Sequence, residues 1–168
     1  MFGRDHGQLS SAGKKWPVIA IAGLTLLASQ AFADPQSEIS AYRKSHGLPA
    51  VTVDAKLTEL ARQQANAMAE QRSMNHNVYA SFRSRTASYG AASAAENLAM
   101  GTRTFGDTFT IWKSSSGHNA NLLKANVTRI GLASASSQGT TYWALILAAP
   151  PEPKWRSIPT GCTTTTSR

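Results

Sequence analysis

The chain has little cysteine. Among its 168 residues the only one is Cys162, near the C-terminus. A domain with one thiol cannot close an internal disulfide, so a packed core must hold the fold unaided. A free thiol in this position permits pairing between molecules, but an incidental residue is the simpler interpretation. The sequence therefore excludes a disulfide-stabilised scaffold.

The chain also lacks a dense block of charge of one sign. Lys and Arg total 17 against 9 Asp and Glu, which gives a net charge of +8. Without residues 1–33, 14 basic and 8 acidic residues remain, a net charge of +6. This excess favours an anionic partner such as a cell-wall polymer or lipid headgroup. However, the basic residues, among them Arg43, Arg62 and Arg85, are scattered, so we expect a solvated surface and no nucleic-acid partner.

The apolar run from Trp16 to Ala28 is too short to be a membrane anchor. A spanning helix needs about 20 apolar residues. The run follows Lys14-Lys15 and precedes Ala31-Phe32-Ala33, an order typical of a secretory signal peptide. We therefore predict a signal peptide over residues 1–33, export to a periplasm or the cell exterior, and no integral membrane span after cleavage.

Residues 34–149 are predicted to form one domain, followed by a disordered Pro/Thr-rich tail over residues 150–168. Pro35 suits the first turn of a helix that ends at Gly47. Asp54 is a good N-cap for a second helix, whose apolar residues recur at helical spacing as far as Ala69. The stretch from Asn77 to Ala94 has no clear period and is predicted to be a long loop with at most one short turn.

A third helix is predicted from Phe105 and is broken by Ser114-Ser115-Ser116-Gly117. The character then changes to strands, over Val127 to Ala135 and Thr140 to Ala148. The second strand is almost wholly apolar, so we expect it at the centre of a sheet, buried on both faces. Helices first and strands late indicate an α+β layered domain.

Polar residues that suit a cleft come from three separate segments. His76 follows the second helix, Glu96 lies in an apolar segment, and His118 follows the serine-rich break in a predicted loop. Paired imidazoles bind zinc or copper well, but without a His-x-x-x-His pair the residues alone favour a histidine that holds its loop by a hydrogen bond. Glu96 would be costly to bury unpaired, so we expect it to face a histidine or backbone N–H groups.

Ser115 suggests a serine hydrolase in which His118 is the base and Glu96 the orienting acid. Against this, the run of three serines lacks a Gly-x-Ser-x-Gly elbow, and serines at helix ends commonly cap or turn. We interpret Asn121 as a residue that hydrogen-bonds backbone near His118.

Taken together, the motifs resemble the CAP superfamily, also called SCP-like, in its short bacterial branch. They are Met-Ala-Glu-Gln-Arg-Ser-Met-Asn-His ending at His76, Ala-Glu-Asn-Leu-Ala-Met-Gly from Ala95, Trp-x-x-Ser-x-Gly-His-x-x-Asn-Leu-Leu from Trp112, and the late pair Tyr142-Trp143. The resemblance implies a three-layer α-β-α sandwich around a small antiparallel sheet.

The resemblance also implies a cleft with a tetrad of two histidines and two acidic residues. His76, Glu96 and His118 match three of its members, whereas Ser115 stands at the position of the fourth. Loss of that carboxylate is expected to weaken binding of a divalent cation, because it removes a charge and an oxygen ligand. His76 and His118 are thus candidate ligands for zinc or another divalent cation, and no cofactor is expected to be required. The predicted cleft residues are His76, Glu96, Ser115, His118 and Asn121.

The resemblance favours a secreted, non-enzymatic binding module whose cleft takes a small ligand, a lipid or an envelope component, or a weakly bound cation. One alternative is an envelope hydrolase, either metal-dependent or serine-type. Another is a lipid or sterol carrier, which would require an apolar groove.

Overall fold

The computed structural model describes residues 34–151, so the predicted signal peptide, Cys162 and almost all of the predicted tail lie outside it. None of the helices in this described part is both long and apolar enough to cross a bilayer. The helices are α1 (Pro35–Ser45), α2 (Ala55–Gln71), α3 (Phe82–Tyr89), α4 (Phe105–Ser114) and α5 (Ser116–Leu122), and the strands are β1 (Thr52–Val53), β2 (Ala94–Met100), β3 (Arg129–Ser137) and β4 (Thr140–Ala148).

Local capping explains where the long helices begin. Pro35 occupies the first turn of α1, as predicted. The carboxylate of Asp54 accepts hydrogen bonds from the backbone N–H groups of Lys56 (2.9 Å) and Leu57 (3.0 Å), which confirms it as the N-cap of α2. In α4, the side chain of Thr104 caps the N–H of Asp107.

The four strands form one sheet in the order β1-β3-β4-β2. The predicted central position of β4 is confirmed, since it pairs with both β3 and β2. The hairpin between β3 and β4 turns at Gln138 (φ 47°) and Gly139 (φ 79°), two left-handed residues that suit a tight turn. The short β1 runs parallel to β3, so the sheet is mixed, in contrast to the antiparallel sheet that the resemblance implies.

Helices cover both faces of this sheet, which confirms the α+β class and the three layers. One buried cluster joins α2 and α3 to the sheet through residues such as Leu57, Met68, Tyr89, Leu98 and Ile146. The other joins α1, α4 and α5 to the opposite face through residues such as Ile39, Phe109, Trp112, Leu122 and Leu145. Two separate cores therefore fix the helices that carry the polar residues of interest.

Two local predictions are wrong. The predicted loop over residues 77–94 contains α3, which begins at the N-cap Ser81 and ends at Gly90 in a left-handed conformation (φ 85°). His118 lies within α5, not in a loop, because only Ser115 leaves the helical conformation (φ −89°, ψ 121°) and the chain resumes a helix at the next residue.

Candidate functional site

His76 lies in the irregular segment between α2 and α3, and its imidazole contacts a buried carboxylate. The His76 Nδ1 is 2.7 Å from Glu96 Oε2. The His76 side chain is 55% exposed, whereas that of Glu96, on β2, is 1% exposed. The predicted pairing of Glu96 with a histidine is therefore confirmed, and the histidine concerned is His76.

Arg85, on α3, completes this contact. Its guanidinium binds the carboxylate of Glu96 at both ends, with Nη1–Oε1 at 2.6 Å and Nη2–Oε2 at 3.1 Å. The Arg85 side chain is 1% exposed. The interpretation of Arg85 as a solvated surface charge is thus wrong, because a buried carboxylate needs a buried cation to offset its desolvation.

The backbone of β2 is tied to the helices beyond its open edge. Asn121 Nδ2 donates to the carbonyl of Glu96 (3.1 Å), and Trp112 Nε1 donates to the carbonyl of Leu98 (3.0 Å). These side chains satisfy carbonyl groups that β4 does not reach, and they block pairing with another strand. The predicted backbone contact of Asn121 is therefore made with the carbonyl of Glu96.

His118 is held near the same strand through its backbone. Asn97 Nδ2 donates to the His118 carbonyl (3.0 Å), and the Asn97 Oδ1 in turn accepts from Asn121 Nδ2 (2.9 Å). Burial lowers the pKa of His118, and the nearby His76 lowers it further. The His118 Nδ1 is buried and has no hydrogen-bond partner within residues 34–151. The structure therefore places an uncharged His118 near His76, with its backbone held against β2.

Arg43 fixes the end of α5, the helix that carries His118. Its fully buried guanidinium donates to the carbonyls of Pro49 (3.0 Å), Leu122 (2.7 Å), Lys124 (3.0 Å) and Val127 (2.8 Å). Like Arg85, Arg43 is a buried structural cation, and its interpretation as a surface charge is wrong.

Ser115 is the N-cap residue of α5, but its side chain makes no capping hydrogen bond. Within residues 34–151 no hydrogen bond joins Ser115 to His118, and Glu96 contacts His76 instead. The three groups of the serine-hydrolase hypothesis are therefore not linked in the order that a catalytic triad requires.

The donor set suits a divalent cation only weakly. Both oxygens of Glu96 are engaged by Arg85 and His76, which leaves two imidazoles as nitrogen ligands. In the described part of the chain, no group of three or more His, Cys, Asp or Glu side chains is arranged to hold a metal ion. Water would have to supply the remaining ligands of a cation bound by His76 and His118.

Surface depressions of 330 to 360 Å³ lie away from these groups. One lies between α2 and the end of β3, a second lies beside α1, and a third lies beside α3. All three are lined by a mixture of polar and small apolar residues. None of the three is lined by His76, Glu96 or His118. The cleft predicted at those residues, and the apolar groove that a lipid carrier requires, both remain predictions.

The family model described as CAP, the cysteine-rich secretory protein family, matches residues 36–147. The chain belongs to this family. It is also 31% identical over 97 residues to the uncharacterized protein YkwD of Bacillus subtilis (strain 168). That alignment covers 55% of this chain but only 38% of the relative, so the chain spans about two fifths of YkwD.

Solved CAP structures from bacteria share the fold. An outer surface protein of Borrelia burgdorferi is 21% identical, with a TM-score of 0.63, and the match covers 68% of this chain and 89% of that one. An extracellular protein containing an SCP domain from Bacillus anthracis is 20% identical, with a TM-score of 0.60, and covers 68% and 39%. A cysteine-rich secretory protein of Staphylococcus aureus is 16% identical, with a TM-score of 0.55, and covers 68% and 36%. The predicted family and fold are confirmed.

Sequence reasoning missed two residues at this site, Arg85 and Asn97. The helix that carries Arg85 could have been predicted, because Ser81 and Gly90 are a matched pair of helix caps with the arginine midway between them. Asn97 immediately follows Glu96, but its full burial depends on α5 packing over β2, and no local pattern predicts that contact.

Proposed function

We propose that this CAP-family chain is an exported, non-enzymatic binding module in which His76, Glu96 and His118 receive a small ligand or a weakly bound divalent cation. The observation that carries the proposal is an imidazole that is half exposed and yet held by a fully buried carboxylate. A solvent-facing side chain seldom has such an anchor unless its orientation matters.

The electrostatics of His118 and Glu96 support a ligand that exchanges hydrogen bonds with ring nitrogens. Burial and the nearby His76 lower the pKa of His118, so that residue is uncharged at neutral pH. The charge of Glu96 is balanced by Arg85. The centre therefore offers the ring nitrogens of His118 and His76 as hydrogen-bonding or coordinating groups, which suits a polar ligand or a cation that retains most of its water.

Zinc titration followed by calorimetry tests the cation version, because zinc is the divalent ion that imidazole binds well. We expect weak binding to the wild type that is lost in His76→Ala and in His118→Ala. His46→Ala is a matched control, since His46 is an exposed histidine at the end of α1. Absence of heat with the wild type, or equal loss in the His46 variant, would remove the cation from the proposal.

A hydrolase is the second candidate, and one observation favours it. A carboxylate bound to His76 Nδ1 leaves Nε2 available, which is how a general base is commonly oriented. A fluorophosphonate probe tests the serine-type version, and we expect no labelling. Labelling that disappears in Ser115→Ala, but persists in the neighbouring Ser114→Ala, would establish Ser115 as a nucleophile and overturn the non-enzymatic proposal.

Export rests on the signal-peptide pattern and on the names of the relatives, which include extracellular and outer surface proteins. When the whole sequence is expressed, the protein should be recovered outside the cytoplasm with Asp34 as its first residue. N-terminal sequencing of the recovered protein measures this directly. An intact N-terminus on cytoplasmic protein would contradict the export proposal without affecting the binding site.

A further inference from the structure

Arg85 is connected to more of the His76 centre than its salt bridge with Glu96 alone. Besides the carboxylate, Nη2 donates to the carbonyl of His76 (2.7 Å), and Nε donates to the carbonyl of Ala80 (3.1 Å). One guanidinium thus binds the anion that orients the His76 ring and also the backbone that carries the ring. A planar fork of five N–H donors can make these contacts together.

The segment that carries His76 has little regular structure to hold it. Between the end of α2 and the start of α3 the chain forms only turns and bends. Its other ties include backbone hydrogen bonds such as Ser73 N–H to the carbonyl of Met68 (3.0 Å), and side-chain contacts such as Gln64 Nε2 to the carbonyl of Asn75 (2.6 Å) and Gln71 Nε2 to that of Val78 (3.1 Å). Arg85 is therefore the group that fixes both ends of the segment from His76 to Ala80.

Stability alone does not account for a buried ion pair in this place. Charged pairs that are removed from water contribute little net stability compared with well-packed apolar residues of the same volume. In some proteins such pairs are retained because they specify one arrangement among several. Here the arrangement specified is the orientation of an exposed imidazole, the feature on which the proposed function rests.

We propose that Arg85 is the positioning residue of the binding centre: it fixes Glu96 and the His76 segment together, and so holds the imidazole with its Nδ1–H on the carboxylate and Nε2 free for a ligand. This inference refines the proposed function by naming the residue that prepares the ligand-facing atom. It requires the forked shape of arginine, and not merely a positive charge.

The ring nitrogens of His76 report this role without any ligand. Nitrogen-15 NMR distinguishes a ring protonated on Nδ1 from one protonated on Nε2, because the two tautomers differ in which ring nitrogen carries the proton. We expect the wild-type proton to reside on Nδ1. Glu96→Ala supplies the spectrum of a ring without its carboxylate, and its tautomer ratio should move by roughly tenfold or more, as expected for loss of a hydrogen bond to a charged group.

Arg85→Met and Arg85→Lys should both move the tautomer ratio toward the Glu96→Ala value while the domain remains folded. Lysine keeps the charge but cannot span the carboxylate and two carbonyls. Because the methionine variant leaves Glu96 buried without its cation and is at risk of unfolding, the lysine variant keeps the test decisive. A wild-type tautomer ratio in either folded variant would refute the positioning role, as would an unchanged ratio in Glu96→Ala.

Arg62→Met is the matched control, since Arg62 makes a bidentate contact with Glu59 on the exposed face of α2. It should leave the His76 spectrum unchanged, and a shift there equal to that of the Arg85 variants would also refute the role. Because no zinc or other ligand enters this experiment, its failure is distinguishable from failure of the proposed binding function.

Discussion

Gly131 on β3 provides the sharpest test of how the α2 layer is packed. A Cβ added at this position would lie 2.1 Å from the carbonyl carbon of Leu57 and 2.2 Å from the backbone nitrogen of Thr58. Ordinary contacts of a Cβ atom begin at 3.4 Å, and both neighbours are backbone atoms that cannot rotate aside. A glycine at this position is therefore what allows α2 to approach the sheet.

Gly131→Ala should force α2 away from β3 by more than about 1 Å, which disrupts a close-packed layer. Overpacking of this kind costs about 3 kcal/mol, the upper end of the usual range, because the backbone and not a side chain must move. A domain of this size loses roughly 3–4 °C of midpoint per kcal/mol, so Tm should fall by about 10 °C.

Thermal and urea unfolding, monitored by circular dichroism, measure this change. Gly106→Ala is a matched control, because Gly106 lies in α4 and an added Cβ would meet only the Thr104 hydroxyl, at 4.0 Å. That substitution should change stability by less than about 1 kcal/mol, and in the favourable direction. A Tm for Gly131→Ala within about 2 °C of the wild type would refute the account of the α2 layer.

Three further predictions follow from buried polar groups. Burial lowers the pKa of His118 below its ordinary 6.5, so the unfolded chain binds the proton more readily and the free energy of unfolding should fall as the pH drops below about 6.5. A pH series of urea unfolding should show a smaller loss of stability in His118→Gln. An identical loss would contradict the assignment. Burial and a hydrogen bond to Asp54 raise the pKa of Tyr89 to about 12, so an ultraviolet titration should show a phenol that ionises at high pH, and this phase should vanish in Tyr89→Phe. For the same reason the free energy of unfolding should decline as the pH rises from 10 toward 12. Arg43→Met leaves four backbone carbonyls without their donor and should lower the free energy of unfolding in urea by about 3–5 kcal/mol. The control Lys44→Met, at the adjacent exposed residue, should change it by no more than about 0.5 kcal/mol. Equal effects of the two substitutions would show that the contacts of Arg43 are unimportant.

Patterns that depend on near neighbours in the chain predicted the elements well. The cap at Asp54 and the apolar stripe after it predicted α2. The turn residues Ser136-Ser137-Gln138-Gly139, followed by an apolar run, predicted the bounds of β4. Where the periodicity was faint, as in α3, the prediction failed even though the caps Ser81 and Gly90 were present. Burial of only three of its residues explains the faint pattern, because most of α3 faces solvent.

Capping, periodicity and short motifs were enough to predict the family, the layered α+β fold and the contact between Glu96 and a histidine, because they are local properties of the chain. Which groups pair depends on contacts between segments that are far apart in the chain. Glu96 contacts Arg85 because α3 packs near β2. Arg43 contacts the end of α5 because α1 and α5 lie on the same face of the sheet. Whether a scattered arginine is a surface charge or a buried anchor depends on the packing of distant segments, and no local pattern encodes that choice.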